Sequence, residues 1–360
     1  MTLTDAEAAL CALLREAPNR RTRIDADETD GEGIVRSARA HRLHLVLAQY
    51  VDRGDLAAEL RGAAVLDAAR ERELARALAA LAAAGIGAIC IKGAAIAHTH
   101  YPRPEMRPRL DTDLLIAAGA RDEATRVLRA AGYERPIETD GDLCTSQLHL
   151  ARVDSAGIDH QLDIHWRISN VLALAGVLTY ADVAARACPL LHLSGEALAP
   201  CATHSLLIAC VHRIAHHRNS ANLLWLYDVA LLADSLDEHE RAAFAALAAE
   251  RQVRAVCAAS LQRAADAFGG AAADLARRVA PAPGAPAEPT AALLSPRLRL
   301  VDLLAADIRS LDSWSKRVQL LREHVFPSRA YMVARYGAGR PLAWLYLQRI
   351  AGGAPKWFRS

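Results

Sequence analysis

The sequence predicts an α+β fold, a small mixed β-sheet core flanked by an N-terminal helical segment and a larger C-terminal helical region. Two observations carry this. Stretches rich in Ala, Leu, Arg and Glu with apolar residues at helical spacing occupy both ends of the chain, whereas short apolar runs and period-two alternation are confined to the middle. With 360 residues and 52% hydrophobic content the chain can bury a sizeable core, divided by its length into two domains or one with helical additions. The expected division is a helical segment over residues 1–84, the sheet core over 85–195 and a helical domain over 196–360.

Taken in order, residues 1 to about 80 read as helical, with a polar break at Asp25 to Gly33 (DADETDGEG). Ile34 to Val51 places Leu43, Val46, Leu47 and Tyr50 near helical spacing, and Leu66 to Ala84 continues as an Ala-rich helix that Gly85 ends. Ile86 to Ile91, with three isoleucines, is the first core strand, and Gly93 to Ala97 opens the next helix. Tyr101 to Arg109 contains three prolines and three arginines, which makes it a rigid basic loop. Asp111 to Ile116 is the second strand, and Ala120 to Ala131 a helix closed by Gly132. Ser146 to Val153 and Ile158 to Ile168 form a hairpin across Asp154-Ser155-Ala156-Gly157. From about Pro200 the pattern is helical except at Pro281 to Pro289 (PAPGAPAEP), a linker or exposed loop. No repeat with a period of roughly 20–50 residues is present.

The most informative stretch is Ile89 to Ile116. Asp111 and Asp113 stand one residue apart at the start of an apolar run, on one face of a strand. Like charges crowded there disfavour folding, and a divalent cation relieves that cost. Downstream, alternation puts Asp159, Gln161, Asp163 and His165 on one face, so Asp163 or Asp159 supplies a third carboxylate. Three carboxylates on neighbouring strands can hold Mg²⁺ against a nucleoside triphosphate. At Lys92-Gly93, glycine lets backbone approach a phosphate, and the helix start behind it offers unpaired N–H groups. The 43 basic residues include only three lysines (Lys92, Lys316 and Lys356), so Lys92 marks a place where a compact ammonium is wanted.

These residues resemble a known family. Lys92-Gly93-Ala94, Arg107 ahead of Asp111-Thr112-Asp113, and Leu162-Asp163-Ile164-His165-Trp166 look like the DNA polymerase β-type nucleotidyltransferase superfamily, and within it an uncharacterised bacterial nucleotidyltransferase family. His41-Arg42-Leu43, the run from His212 to Asp228 (HRIAHHRNSANLLWLYD), and Phe326-Pro327-Ser328 before Tyr336 agree, so the resemblance covers most of the chain. The superfamily usually carries Gly-Gly or Gly-Ser where this chain has Gly93-Ala94, which removes a hydroxyl donor and leaves Lys92 as its replacement. The gap from Gly93 to Asp111 also exceeds the superfamily's common spacing.

The resemblance implies a Mg²⁺-dependent transfer of a nucleoside monophosphate, AMP from ATP first among them, to a hydroxyl of a small molecule, peptide or protein, with release of pyrophosphate. Asp111, Asp113 and Asp163 would be the catalytic, metal-holding carboxylates for two Mg²⁺ ions. Asp163 is favoured over Asp159 because it belongs to the recognisable Asp-Ile-His-Trp piece. Lys92, Gly93, Ala94 and Arg107 would bind the nucleotide, with Lys92 and Arg107 on the β- and γ-phosphates. His165 would orient a carboxylate or substrate, or be a satisfied buried histidine. His212, on a helix running through Asp228, would face phosphate or acceptor, or belong to a solvated polar face. The alternative is a catalytically inactive nucleotide-binding or interaction module.

Composition removes several other classes. The net charge of +2 argues against wholesale nucleic-acid binding. It hides a basic tail, 12 Lys+Arg against 4 Asp+Glu from Arg297 to Ser360, which suggests an anionic partner there. Seven widely spaced cysteines with no C-x-x-C pair read as reduced usage. An amino terminus without a basic-then-apolar pattern and the lack of an apolar run of about 18 residues lead to the expectation of a soluble cytoplasmic protein. His212 and His216 stand four apart, but Arg213 occupies the glutamate position of H-E-x-x-H and no third ligand or general base is in view, which argues against a zinc hydrolase. A P-loop kinase motif is absent.

Overall fold

Period-two alternation in four short strands divides the central sheet into two unlike faces. In the computed structural model, which describes residues 3–16, 31–136, 141–215, 219–220 and 222–357, the strands are β1 (Ala88–Ile91), β2 (Thr112–Ile116), β3 (Gln147–Val153) and β4 (Asp159–His165). Their order is β1-β2-β4-β3. β2 runs antiparallel to β1 and parallel to β4, while β3 and β4 form the antiparallel hairpin expected from the sequence. The sheet is therefore mixed and, with helices on either side, the fold is α+β.

On one face Cys90, Leu114, Ile116, Leu148, Leu150, Leu162 and Ile164 share a core with Leu74, Leu78 and Leu81 of the helix Gly54–Ala83 and Leu128 of the helix Arg121–Ala130. On the other, Ile89, Ile91 and Leu115 join the larger core built with the N-terminal and C-terminal helices. The positions between them on this second face are polar: Asp113 on β2, Asp163 and His165 on β4, Gln147 and His149 on β3. Burying seven apolar side chains on the first face, each contributing roughly 1.5–3 kcal/mol, fixes the register, since a one-residue slip would exchange the faces.

Helix limits depart from the sequence expectations in instructive places. Ile34 to Val51 is two helices, Gly31–Ala40 and His44–Leu47, separated by a turn in which Arg42 has a left-handed φ of 61°. The Ala-rich helix starts at Gly54 rather than Leu66 and ends, as expected, before Gly85, whose φ is 73°. β2 begins at Thr112, so Asp111 precedes the strand. The helix expected to run from His212 through Asp228 is also two, Ala202–Ala215 and Leu223–Ser235, because the Asn222 side chain accepts the Leu224 N–H at 3.0 Å and starts a new helix. His216, His217 and most of the expected Asp25 to Gly33 break lie outside the described residues. A two-residue ribbon pairing Cys188–Pro189 with Leu198–Ala199 was not foreseen, and its brevity leaves no periodic signal. Pro281 to Glu288 is an exposed loop. All seven cysteines are free, and no helix among the described residues is long and apolar enough to cross a membrane.

The basic tail meets the core through an acid. Glu323, on the helix Trp314–Val325, accepts the backbone N–H groups of Asp142, Leu143 and Cys144 at 3.2, 2.8 and 2.9 Å, clamping the loop that enters β3. Arg317 instead donates to the Leu311 carbonyl at 2.9 Å.

A second tie comes from the helix Leu300–Ser310, where buried Asp307 accepts the Ala173 N–H at 3.2 Å at the start of the helix Leu172–Ala175. Burial pushes the Asp307 carboxyl up to about 6, and the backbone donors only partly offset it. A carboxyl with a folded pKa above its unfolded value makes stability fall as pH rises through that interval. Asp307→Asn keeps an acceptor but removes the titration. It should raise the urea unfolding free energy by on the order of 1–3 kcal/mol at pH 8 and by less at pH 5. An equal effect at both pH values would contradict the assignment.

Candidate functional site

Parallel pairing of β2 with β4 sets Asp113 directly opposite Asp163. Asp113, Asp163 and His165 are all buried, and one ligand atom from each lies within 4.8 Å of the others. Strand alternation, which delivers the carboxylates to one face, thus also brings in His165 two residues after Asp163.

Each carboxylate has its own set of donors. Asp113 Oδ1 accepts from Lys92 Nζ at 2.6 Å and from His165 Nε2 at 2.7 Å. A carboxylate cannot donate, so Nε2 carries the His165 proton and Nδ1 is bare; that buried Nδ1 has no partner. Burial alone would push the Asp113 carboxyl up, but the Lys92 ammonium and His165 ring outweigh it and hold it well below the usual range. Burial, reinforced by the Lys92 charge, pushes His165 down and keeps the ring neutral. Asp163 accepts from Gln147 Nε2 at 2.6 Å through Oδ2 and from His149 Nδ1 at 2.9 Å through Oδ1. Asn170 braces the strand behind them, accepting the Ser146 N–H at 2.7 Å.

Asp111 stands apart. It is exposed beside the cluster, and its carboxyl is pushed up by loss of water against the pocket wall and then by the Asp113 and Asp163 charges. Asp159, the alternative third carboxylate, is exposed at the far end of β4, where it accepts from Gln161, so only Asp163 reaches the cluster.

Above the cluster opens a pocket of about 420 Å³. Lys92, Gly93, Arg107, Asp111, Asp113, Asp163 and His212 all line it, so the structure brings these sequence-selected residues together. Ala94 does not line it and is buried behind Gly93. Lys92 begins the helix Lys92–His100 with a left-handed φ of 51°, which turns its side chain back toward the carboxylates. That conformation costs a non-glycine residue about 1–2 kcal/mol.

Arg107 differs from the expectation of a phosphate-facing charge. It is buried and forked onto Asp228, with Nε 2.9 Å from Oδ1 and Nη2 2.6 Å from Oδ2, while Tyr101 Oη donates to the same carboxylate at 2.8 Å. Burial would lower the Arg107 pKa, but Asp228 more than offsets it. Asp228 therefore pairs with the arginine loop rather than within the helical bundle. Arg109 is likewise paired, with Asp67 at 2.5 Å.

Sequence reasoning gave no site role to Gln147, His149, Asn170, Arg42 or Trp225, although Arg42 and Trp225 lie in runs that carry the family resemblance; Gln147, Arg42 and Trp225 line the pocket. Gln147 and His149 had a readable signal, polar residues alternating with Leu148 and Leu150 on a strand paired with the Asp163 strand. For Arg42, Trp225 and Asn170 only the three-dimensional packing shows the role.

The arrangement suits a hard divalent cation. Two buried carboxylates face each other across a parallel register, a third lies beside them, and one ammonium does not balance three negative charges. The model of a family described as uncharacterised nucleotidyltransferase matches residues 27–269, which include all four strands and every pocket residue named above. Among curated proteins none matches the chain.

Gly93 has a role that is testable apart from any ligand. A Cβ there would lie 2.3 Å from Arg107 Nη1, on a guanidinium already fixed by Asp228. Gly93→Ala should therefore destabilise the protein by about 1–3 kcal/mol, read as a lowered thermal midpoint. An unchanged midpoint would mean that Arg107 is not held as described.

Proposed function

The chain belongs to this nucleotidyltransferase family, and from that premise we propose that it transfers a nucleoside monophosphate, AMP from ATP first, to a hydroxyl of a small molecule, peptide or protein. The observation that carries the reading is Asp113 facing Asp163 on parallel strands at the floor of a pocket with room for a nucleotide.

Asp113 and Asp163, with Asp111 at their side, would hold Mg²⁺. Bound there, the metal would supply charge neutralisation on the phosphates and lower the pKa of the attacking hydroxyl. The protein's own residues do the rest. His165 orients the Asp113 carboxylate through its Nε2–H, and Gln147 and His149 fix both oxygens of Asp163. The helix start at Lys92-Gly93 offers N–H groups to an anion. The acceptor hydroxyl gives up its proton to solvent as its oxygen bonds to the α-phosphorus, the bond to the bridging oxygen breaks, and pyrophosphate leaves with that electron pair.

A second reading, a binding module without chemistry, has one observation in its favour. Lys92 Nζ already gives Asp113 a cationic partner at 2.6 Å.

ATP labelled at the α or the γ phosphorus separates the two. Transfer predicts α-label covalently attached to an acceptor and γ-label in pyrophosphate. γ-Label on the acceptor would make the protein a phosphotransferase, and Mg²⁺-dependent binding with no transfer across a broad acceptor panel would favour the module.

The two tiers of the site should also separate by magnitude. His149→Ala, which loosens Asp163 without removing it, should cost about 10–100-fold in metal affinity or turnover. Asp113→Asn and Asp163→Asn should each cost more than that while leaving the circular dichroism spectrum intact. Near-normal turnover in either aspartate variant would sink the site.

A further inference from the structure

We infer that Arg42, from the N-terminal helical segment, is the residue that grips the phosphates beyond the α position, so that this segment supplies part of the nucleotide site. The inference rests on the nucleotidyl-transfer reading above and names a ligand-binding residue within it.

Four lysine and arginine side chains line the pocket. Three are already committed: Lys92 to Asp113 at 2.6 Å, Arg107 to Asp228 at 2.6 Å and Arg109 to Asp67 at 2.5 Å. Arg42 is different. It is half-buried, makes no ion pair among the described residues, and its guanidinium has a single long contact, Nη2 to the Pro108 carbonyl at 3.4 Å. A guanidinium taken partly out of water with one weak acceptor carries unused donors that suit a planar oxyanion. Burial and the nearby Arg107 push its pKa down, which makes an incoming anion more favourable there.

Position selects which part of the ligand it meets. In-line attack requires the α-phosphorus to lie against Asp113 and Asp163. Arg42 instead stands at the arginine loop, its Nη2 against the Pro108 carbonyl, and bonds to neither of those aspartates. The base and ribose of a nucleotide are uncharged, so the anion left for Arg42 is the terminal phosphates, the group that departs as pyrophosphate.

The backbone makes the idea separable from a structural role. Arg42 closes the helix Gly31–Ala40, with Leu43 N–H bonded to the Ala38 carbonyl at 2.7 Å and Arg42 N–H to the Arg39 carbonyl at 3.1 Å. The same pair of bonds closes the helices before Gly85 and Gly132, where the left-handed residue is glycine. Gln252 closes another helix in this way, so the conformation alone marks nothing. Its value is that glycine or asparagine fits at position 42 with less strain than arginine. Removing the side chain should thus leave the fold as stable or more so, whereas truncating a structural arginine would weaken it.

The test uses the full chain with Mg²⁺ present and measures, by calorimetry, affinity for ATP, inorganic pyrophosphate and AMP in wild type, Arg42→Gly and Arg42→Asn. Thermal unfolding is recorded without ligand. Loss of a charge-assisted contact should weaken ATP and pyrophosphate by about 10-fold or more, leave AMP within about twofold, and leave the thermal midpoint unchanged or raised. ATP and pyrophosphate affinities unchanged in both variants, while wild type binds ATP well, would overturn the Arg42 assignment and leave the nucleotidyl-transfer reading standing. A midpoint lowered in both variants with all three ligands weakened together would make Arg42 structural and overturn it as well. A wild-type protein that binds none of the four ribonucleoside triphosphates would overturn the parent reading, and the Arg42 role with it.

Discussion

Two carboxylates placed side by side on neighbouring parallel strands are the constraint around which the core is arranged. Asp113 and Asp163 share a register position and are both buried, where repulsion and lost hydration would oppose folding if nothing answered them. The answer is divided. Asp113 draws an ammonium and a ring N–H, Asp163 an amide and a second ring N–H, and no donor serves both. This requires a lysine in a left-handed conformation at a helix start, a histidine two residues along β4, and a third strand carrying Gln147 and His149. The β3–β4 hairpin, which on apolar grounds merely extends the sheet, is thus needed to stabilise a charge. Counting Asp111, the acids about the cluster still exceed the single ammonium bonded there, which is consistent with a divalent cation.

A second arrangement of charges turns a loop into a wall. The stretch from Tyr101 to Arg109 has three prolines and little regular structure beyond the turn Pro104–Met106. It is fixed at both flanks: Arg107 and Tyr101 reach Asp228 on a C-terminal helix, and Arg109 reaches Asp67 on the long N-terminal one. Breaking one partner of such a buried pair costs about 3–5 kcal/mol because the other charge is stranded. Gly93 belongs to the same device, since only a residue without Cβ leaves room for the Arg107 guanidinium against the helix start.

The sequence made the centre of this molecule more legible than its rim. Alternation and apolar runs placed all four sheet strands within two or three residues, because burial on one face punishes any slip. Alternation likewise put Asp163 and His165 on one face, but it left Asp159 equally eligible, and the preference for Asp163 came from the family resemblance. What could not be read was which partner a charge takes. Arg107 looked like a phosphate ligand because a basic loop preceded an acidic pair, yet its partner, Asp228, lies 121 residues away. Asp111 looked equivalent to Asp113, but it falls just before the strand, where the period-two rule no longer fixes its direction. The helix boundaries that failed, at Arg42 and at Asn222, are both capping events. Asn222 was visible in principle as a cap residue inside a long helical pattern, while an arginine at a position that glycine usually fills gave no local warning.

That arginine bears on how the chain is divided. By composition the helical ends and the mixed-sheet middle look like separate units, but the pocket draws Arg42 from the first, the carboxylates from the second, and His212, Trp225 and Asp228 from the third. The C-terminal tail enters the same scheme, since Glu323 clamps the loop leading into the strand that carries Gln147 and His149. A sheet of four short strands has one apolar face and one acidic face, and the acidic face cannot be left to water if a triphosphate is to be held and oriented there. The helices from both ends close over that face. Their surfaces are therefore under two demands at once, apolar enough to bury Ile89, Ile91 and Leu115 and polar where they overhang the carboxylates. On the proposed reading, an acceptor would reach the carboxylates past residues of these helices, since His212, Leu224 and Trp225 line the pocket above the sheet.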